Sequence, residues 1–459
     1  MQTRNKEILR IALPSIVSNI TVPLLGLVDT AITGHLGSAA YIGAVAIGSM
    51  LFNTIYWLFG FLRMSTSGMT SQALGRGDDT SAPLLSALRL ALLIALGLMT
   101  LQLPLRWLGL WLMDPTEEIR HLTVIYFNIC IWGAPAVLSL FCLNGWFIGM
   151  QNSRSPMVVA IFQNVVNILA SLTFVYGLGM KIEGVALGTL VAQWSGVAVA
   201  AWMARRSSHS SLSSQSSHSS QSSHSSQSSP TSQSSLSSQS SPSIKSLDLL
   251  LFLRTLCLVS VMLFFTSAGS WQGETLLAVN TLLMQMFLLV SYVMDGFANA
   301  AEAMSGKYYG AGDRRALLDT VRKSFLWGAL CAAAFTVVYV LGGDAFLGLL
   351  TDEPSVIRAS HDYVVWAWLV PFISFSAFIW DGIYVGLTLA RQMFYATALA
   401  ALVFFGLYCI TDGNHGLWLA FLAFLFTRGA VQTVLFYFSH HSNWVPPSFR
   451  FQKNIPHST

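Results

Sequence analysis

The stretch GWFIG at residues 145–149 decides the architecture of this chain, because the stretch GIYVG at residues 382–386 repeats its spacing 237 positions later. Each stretch ends a long apolar run, and an arginine follows five positions after it, Arg154 in one case and Arg391 in the other. Glycines four residues apart favour close packing of helices inside a membrane. The recurrence indicates an internal duplication, so the chain is predicted to have two similar halves.

Other motifs recur at nearly the same offset. The sequence ALGRGD at 73–78 corresponds to YYGAGD at 308–313, Ile119-Arg120 to Ile357-Arg358, and Pro135 to Pro371. Each half holds an even number of apolar runs, so both halves insert with the same polarity as parallel repeats. Two similar lobes around a central cleft are typical of carriers that work by alternating access.

The composition places both halves in a membrane. Of 459 residues, 54% are hydrophobic and 10% are charged, and the mean hydropathy is +0.60. Soluble domains carry about 25% charged residues, so a soluble enzyme is excluded. A net charge of +4, scattered along the chain, also argues against a nucleic-acid-binding face. All five cysteines fall inside apolar runs and lack metal or disulfide spacing.

The apolar runs are long and continuous, which indicates helices and not the alternating strands of a barrel. They lie near 8–34, 40–74, 84–112, 119–149, 156–178, 183–204, 248–269, 276–307, 316–342, 357–388, 392–411 and 414–438. The predicted fold is therefore an all-α polytopic membrane protein with twelve transmembrane helices in two pseudo-symmetric lobes. The first run is too long for a cleavable signal peptide.

The charges predict the orientation. With the N-terminus inside, 18 of the 24 Lys and Arg residues fall on the cytoplasmic side, four fall outside, and Arg63 and Arg428 lie within spans. Ten acidic residues fall on the outer side. Both termini are therefore expected to be cytoplasmic.

The predicted domains are an N-lobe over 1–206, a disordered cytoplasmic linker over 207–246, a C-lobe over 247–440 and a cytoplasmic tail over 441–459. The linker reads as Ser-Ser-X triplets, and such a polar tract buries too little apolar surface to offset its ordering entropy. Its three histidines, His209, His218 and His224, fit low-complexity sequence better than a metal site, and no metal site is predicted.

A family resemblance rests on several segments: LPSI at 13–16, NITVPLLGLVDT at 19–30, GHLG at 34–37, FLRMST at 61–66, DGF at 295–297, Glu302-Ala303, YGA at 309–311 and Asp381-Gly382. These resemble the multidrug and toxic compound extrusion (MATE) family, and more narrowly its DNA-damage-inducible protein F (DinF) branch. The resemblance implies a monomeric antiporter of the bacterial inner membrane that exports organic, often cationic or amphiphilic, compounds in exchange for H⁺ or Na⁺. It implies no enzymatic activity and no cofactor other than the coupling ion.

Four acidic residues remain inside the predicted spans: Asp29, Asp295, Glu302 and Asp381. A charge at mid-bilayer costs about 2.5–3.5 kcal/mol on insertion scales, so each requires a reason. Asp29 lies roughly 7–8 Å below the outer end of the first span. Pro23, six residues earlier, interrupts the helical hydrogen bonding and is a candidate hinge. The hypothesis is that protonation of Asp29 bends the first span and expels substrate; the alternative is an acid near the lipid headgroups.

The fifth span departs from the family pattern. An Asn followed four residues later by Asp is expected, but here Asn167 is followed by Ser171, which cannot titrate. Asp29 is therefore predicted to work with Asn19, Asn164, Asn167 and Ser171, or to share coupling with the C-lobe. Asn167 also fits a role as a bridge between helices.

Asp295 and Glu302 lie seven residues apart and face the same way on one helix, with Arg63 as their predicted cation. The alternative pairs Glu302 with Lys307 and leaves Arg63 snorkelling to the interface. Asp381 is predicted as a proton or cation site. The sequence does not separate protonation from Na⁺ coordination.

The alternative functions are a flippase, an intramembrane enzyme and a channel. A lipid or oligosaccharide-lipid flippase shares the two-lobe plan, and several arginines in the cleft would favour it. An intramembrane enzyme is disfavoured because no HExxH, GxSxG or P-loop pattern occurs. A channel fits the duplicated lobes poorly. The expected partners are small organic substrates and the bilayer, with no nucleic acid.

Overall fold

The computed structural model describes residues 2–34, 38–219, 244–351 and 353–441, and in these ranges the chain forms fifteen α-helices and no strand. The helices are α1 Gln2–Gly34, α2 Ala39–Leu58, α3 Phe61–Arg76, α4 Ser81–Thr100, α5 Gln102–Met113, α6 Glu117–Cys130, α7 Ala134–Gly149, α8 Arg154–Leu172, α9 Ile182–Ser219, α10 Ile244–Ser270, α11 Glu274–Gly310, α12 Arg314–Leu350, α13 Pro354–Gly386, α14 Ala390–Ile410 and α15 Gly413–His441. The prediction of an all-helical fold is confirmed.

Short irregularities explain why fifteen helices correspond to twelve predicted spans. α2 and α3 are separated at residues 59–60, and α4 and α5 at Leu101. A 3₁₀ turn over Ile131–Gly133 joins α6 to α7, and a π-helical turn over Thr173–Gly177 extends α8. Each predicted run therefore coincides with one helix or one interrupted helix.

Eleven helical segments of the described chain are long and apolar enough to cross a membrane. The remaining one, α1, has 33 residues, and at about 1.5 Å per residue it is also long enough to span. Pro14 and Pro23 both lie inside it. It packs against α8 of its own half and α11 of the other half, so it lies at the junction of the lobes.

The duplicated glycines make equivalent contacts in the two halves. On α7, Gly145 lies against the backbone carbonyl of Arg63, and on α13, Gly382 lies against the carbonyl of Ala298, so that a Cβ on either glycine would overlap that oxygen. Arg63 and Ala298 themselves correspond in the repeat. The close helix packing predicted from the paired glycines is therefore present twice, once in each lobe.

The lobes are joined near the end of the bundle that carries Arg4, Lys307 and Arg314, called here the basic end. Arg4 donates to the carbonyl of Ala316 at 2.9 Å and pairs with Asp319 at 3.0 Å. These contacts link the first helix of the N-lobe to α12 of the C-lobe.

Gln72 on α3 reaches α13 at the same end, donating to the carbonyl of Gly386 at 2.9 Å. Lys307 donates to Gln151 at 3.2 Å, and Tyr308 donates to Glu7 at 3.4 Å. Together these contacts hold the two halves against each other at the basic end.

The structure differs from the sequence predictions at the linker and at Arg254. The linker was predicted to be disordered from residue 207, but α9 continues to Ser219 and α10 begins at Ile244. The remainder of the linker, and the tail after residue 441, lie outside the described residues. The orientation count placed only Arg63 and Arg428 within spans, but Arg254 lies inside the predicted run 248–269 and, on α10, has 3% of its surface exposed.

Candidate functional site

Asp29 is buried inside the N-lobe, with 5% of its surface exposed. The side chains of Thr189 on α9 and Asn167 on α8 lie close to its carboxylate. Asn167 also donates to the hydroxyl of Thr189 at 3.1 Å. Among the described residues, one carboxylate oxygen of Asp29 and the amide oxygen of Asn167 have no hydrogen-bond partner. The cluster therefore has unused acceptor capacity for a proton or a hard cation.

Ser171 does not join this cluster by any described contact. Its hydroxyl lies against Gly188 on α9, where it fills the space of an absent side chain. Thr189, the next residue, supplies the hydroxyl that the sequence reasoning assigned to Ser171. The sequence shows Thr189 only as a threonine within an apolar span. The packing of α9 on α8 is what turns its side chain toward Asp29.

The hinge candidate Pro23 lies in a segment of α1 that neighbouring helices hold on both sides. Asn164 on α8 donates to the carbonyl of Thr21 at 2.8 Å. Asn19 donates to the carbonyl of Tyr292 on α11 at 3.0 Å. Asn19 and Asn164 therefore bond to helix backbone around the proline and do not contact Asp29 in the described structure.

Arg63 joins the lobes at mid-bundle. Its guanidinium donates to Asn299 at 3.1 Å and to Glu302 at 3.4 Å, both on α11. Lys307 bonds to Gln151 instead of Glu302. The alternative in which Glu302 pairs with Lys307 and Arg63 snorkels is therefore wrong for this structure. One oxygen of Glu302 has no hydrogen-bond partner among the described residues.

Asp381 lies in a cluster of charged side chains that the sequence analysis did not find. Arg254 on α10 and Arg428 on α15 both contact the same carboxylate oxygen, Arg428 at 3.6 Å. Gln432 donates to the other oxygen at 2.9 Å. Arg428 also lies over the rings of two phenylalanines of the C-lobe. Both oxygens of Asp381 are therefore engaged by side chains of α10 and α15, and its role as a proton or cation site stays a prediction.

Two cavities lie beside Arg63 and Asp295. A cavity of about 250 Å³, called here the C-lobe cavity because most of its lining comes from that lobe, is lined by these two residues and by Arg254, Asp381 and Arg428. A second cavity, of about 200 Å³, lies between the lobes. The residues common to the two are Arg63, Met64, Asp295 and Asn299. Trp57 of the N-lobe also lines the first.

One further acidic residue is buried. Asp248, the first residue of the predicted span 248–269, was not among the four acids expected within spans, yet only 5% of its surface is exposed and it lies beside Ser65 of α3. It lies near the basic end, where α10 enters the bundle. Within the described ranges, no group of three or more His, Cys, Asp and Glu side chains is arranged to hold a metal.

Comparison with known proteins places this architecture in a family. The MatE family profile matches residues 14–173 and 251–408, one match in each half. The chain is 34% identical to DNA damage-inducible protein F of Escherichia coli (strain K12) over 438 residues, which is 94% of this chain and 91% of that protein.

Solved structures share the fold. A Vibrio cholerae MATE transporter in the bent form superposes with a TM-score of 0.79 at 16% identity, covering 96% of this chain and 98% of that one. An outward-facing multidrug resistance MATE family transporter of the MOP superfamily gives a TM-score of 0.76 at 19% identity, with 96% of each chain covered. The chain therefore belongs to the MatE family of membrane transporters and to its DinF-like branch.

Proposed function

We propose that this protein is a secondary active efflux antiporter that exports organic amphiphiles in exchange for H⁺ or Na⁺ by alternating access, acting as a monomer in a bacterial inner membrane. The observation that carries the proposal is the buried carboxylate of Asp29, which faces Thr189 and Asn167 inside the N-lobe. An acid buried in a span is a default candidate for an ion pathway.

The arrangement of the lobes supports a transport cycle. Hydrogen bonds close the basic end, which the positive-inside rule places in the cytoplasm. Cavities lie deeper in the bundle, beside Asp295. We infer that these contacts close the inner side of the carrier while the cavities hold substrate or ion deeper in the bundle.

The proposed coupling acts through α1. Occupation of the Asp29 cluster by a proton or Na⁺ changes its charge and its bonding to α8 and α9. α1 also bonds to α11 through Asn19, so a bend at Pro23 would change the contact between the lobes. This links ion binding in the N-lobe to substrate release at the junction.

The test is gradient-driven export from proteoliposomes. Two dansyl-labelled amphiphiles share one body; one ends in an amine and the other in a carboxylic acid. Export of either probe under an imposed H⁺ or Na⁺ gradient is expected for the wild type. Asp29→Asn keeps the shape and the hydrogen-bonding capacity of the side chain but removes its charge, and is expected to abolish the dependence on the gradient.

The matched control is Glu118→Gln, an exposed acid at the start of α6, which is expected to transport as the wild type does. Concentrative export by Asp29→Asn at the wild-type rate would refute the proposed role of Asp29.

The flippase alternative is favoured by one observation: three arginines line the C-lobe cavity, whereas the sequence placed only two arginines within spans. Movement of labelled lipid without any ion gradient, unaffected by Asp29→Asn, would select it.

A further inference from the structure

The two buried arginines of the C-lobe cavity share one carboxylate. Arg254 and Arg428 are 3% and 5% exposed, and both contact the same oxygen of Asp381. Arg63, the third arginine of the cavity, is paired with Glu302. The Arg254–Asp381–Arg428 cluster therefore has one positive charge more than its own acid can neutralise.

The described structure also leaves donors of this cluster unused. The Nε atoms of Arg254 and Arg428 are buried and have no hydrogen-bond partner among the described residues. A further contact of Arg254 is a long one, 3.9 Å to the sulfur of Met64. An unpaired buried donor on a charged group is costly, so the cluster is poised to accept another oxygen ligand.

Asp295 balances the excess charge only from a distance. It lines the same cavity and interacts electrostatically with Arg254 and Arg428, but no hydrogen bond joins it to them in the described structure. Neutrality of the cavity thus depends on an acid that does not occupy the arginine donors. A ligand carrying its own acidic group would engage the unused arginine donors directly.

The rest of the lining includes Glu302, which is paired with Arg63, three uncharged polar side chains and a group of aromatic rings. Phe287, Phe378, Phe421 and Phe424 line the cavity, and Arg428 lies over the rings of Phe378 and Phe424 at 5.7 Å. The cavity alone is smaller than the roughly 300–1,000 Å³ of drug-sized pockets, but the second cavity adjoins it at Arg63 and Asp295. A ligand with an acidic head and an extended apolar body fits this combination.

We propose that the C-lobe cavity is the binding site for the acidic head group, a carboxylate, sulfonate or phosphate, of an amphiphilic substrate, with Arg254 and Arg428 as its donors. The inference rests on the proposed function, because it names the chemical class of the exported compound. It departs from the cationic substrates that the family resemblance implies.

Binding to the purified protein in phosphatidylcholine nanodiscs tests the inference without any gradient. The probes are dansyl-labelled undecanoic acid and the matching dansyl-labelled undecylamine, with empty discs subtracted. The wild type is expected to bind the acid more tightly than the amine. Arg428→Gln leaves Arg254 balanced by Asp381, and is expected to weaken acid binding about tenfold or more while leaving amine binding unchanged or tighter.

A second variant has the opposite expectation. Asp295→Asn removes the remote negative charge, and acid binding is expected to tighten by about threefold or more while amine binding weakens. Arg428→Lys, which keeps the charge, is expected to retain most of the acid preference. Arg106→Gln, at an arginine bonded to Asn128 in a different part of the bundle, serves as the unaffected control.

Equal binding of acid and amine by the wild type, or an acid affinity that neither Arg428→Gln nor Asp295→Asn changes, would overturn the inference. If Arg428→Gln does not fold, the acid affinity of Asp295→Asn tests the inference by itself.

Phosphatidylglycerol added to the discs identifies the source of the head group. Displacement of the acid probe assigns the site to a lipid, and retention of the probe assigns it to a free amphiphile; both support an acid site.

A loss of gradient-driven export in Asp29→Asn would leave these affinities unchanged. The two proposals can therefore fail separately.

Discussion

Arg63 of the first half and Glu302 of the second half form an ion pair across the lobes, with 3.4 Å between Nη1 and Oε2. The Glu302 side chain is 2% exposed, whereas that of Arg63 is 27% exposed. The pair therefore lies at the edge of a cavity, with its acid fully buried. Because Arg63 also bonds to Asn299, two residues of α11 hold one residue of α3.

This geometry predicts that Glu302→Gln destabilises the protein by about 1–3 kcal/mol, since it leaves Arg63 without its counter-charge. Thermal unfolding in detergent measures the effect. The double variant Arg63→Gln with Glu302→Gln is expected to lose less than the sum of the two single losses. Strict additivity would show that the two groups do not interact.

The cluster at Asp381 predicts a larger loss. Asp381→Asn leaves Arg254 and Arg428 together in the interior without a carboxylate, which is expected to reduce the free energy of unfolding by about 3–5 kcal/mol. Adding Arg428→Gln to this variant removes one of the two cations and is expected to restore part of the stability. Asp362→Asn, at an exposed position of α13, is the control. If Asp381→Asn unfolds at the wild-type temperature, the acid is not a structural counter-charge.

The close contact of α3 with α11 at the basic end predicts that adding a methyl group to a glycine there reduces transport. Gly75 lies against the carbonyl of Lys307, and Gly310 lies against the carbonyl of Gln72, with no room for a Cβ at either glycine. Gly75→Ala is therefore expected to force the lobes apart and reduce transport several-fold. Gly97→Ala, where a Cβ meets nothing within 4 Å, is expected to transport normally. Comparable rates for the two variants would contradict the close contact.

The Asp29 cluster predicts a difference between two hydroxyls. Thr189→Val keeps the volume of the side chain but removes the hydroxyl that faces Asp29 and accepts from Asn167. It is expected to weaken the gradient dependence of export about tenfold, the equivalent of one hydrogen bond to a charged group. Ser171→Ala, which alters a contact with Gly188, is expected to have a much smaller effect. The ratio of export with and without the gradient measures both.

The turn before α4 predicts a dependence on pH outside the membrane. The backbone N–H of Ser81, together with its hydroxyl, holds the pKa of the Asp79 carboxyl below its usual range. A lowered folded-state pKa stabilises the protein above the unfolded pKa of about 3.9, and the benefit is lost as the pH falls through the folded value. Asp79→Ala is expected to lower the unfolding temperature slightly at pH 7 and not below pH 3. A constant difference at both pH values would exclude ionisation as the cause.

Several structural features followed from the sequence because they depend on local composition and spacing. Uncharged runs of about 20 residues predict spans, and the constant offset between GWFIG and GIYVG predicts equivalent helix contacts in both lobes. The depth of Asp29 along α1 was predicted for a similar reason, because it depends only on the distance from the end of the helix. None of these inferences needs to know which helices touch.

Other features were decided by contacts between residues far apart in the chain. Arg254, Asp381 and Arg428 lie on three helices, and no spacing in the sequence indicates that two arginines share one carboxylate. Thr189 replaced Ser171 as the hydroxyl beside Asp29 because the rotation of α9 against α8 determines which side chain faces inward.

The sequence by itself thus determined the helices, their duplication and the family, since these follow from short-range hydrophobicity and repeat spacing. Only the tertiary structure decided how the buried charges are partnered. A buried charge is stabilised by a counter-charge that is close in space and is often far away in the sequence. Helix packing places Arg63 beside Glu302 and two arginines beside Asp381.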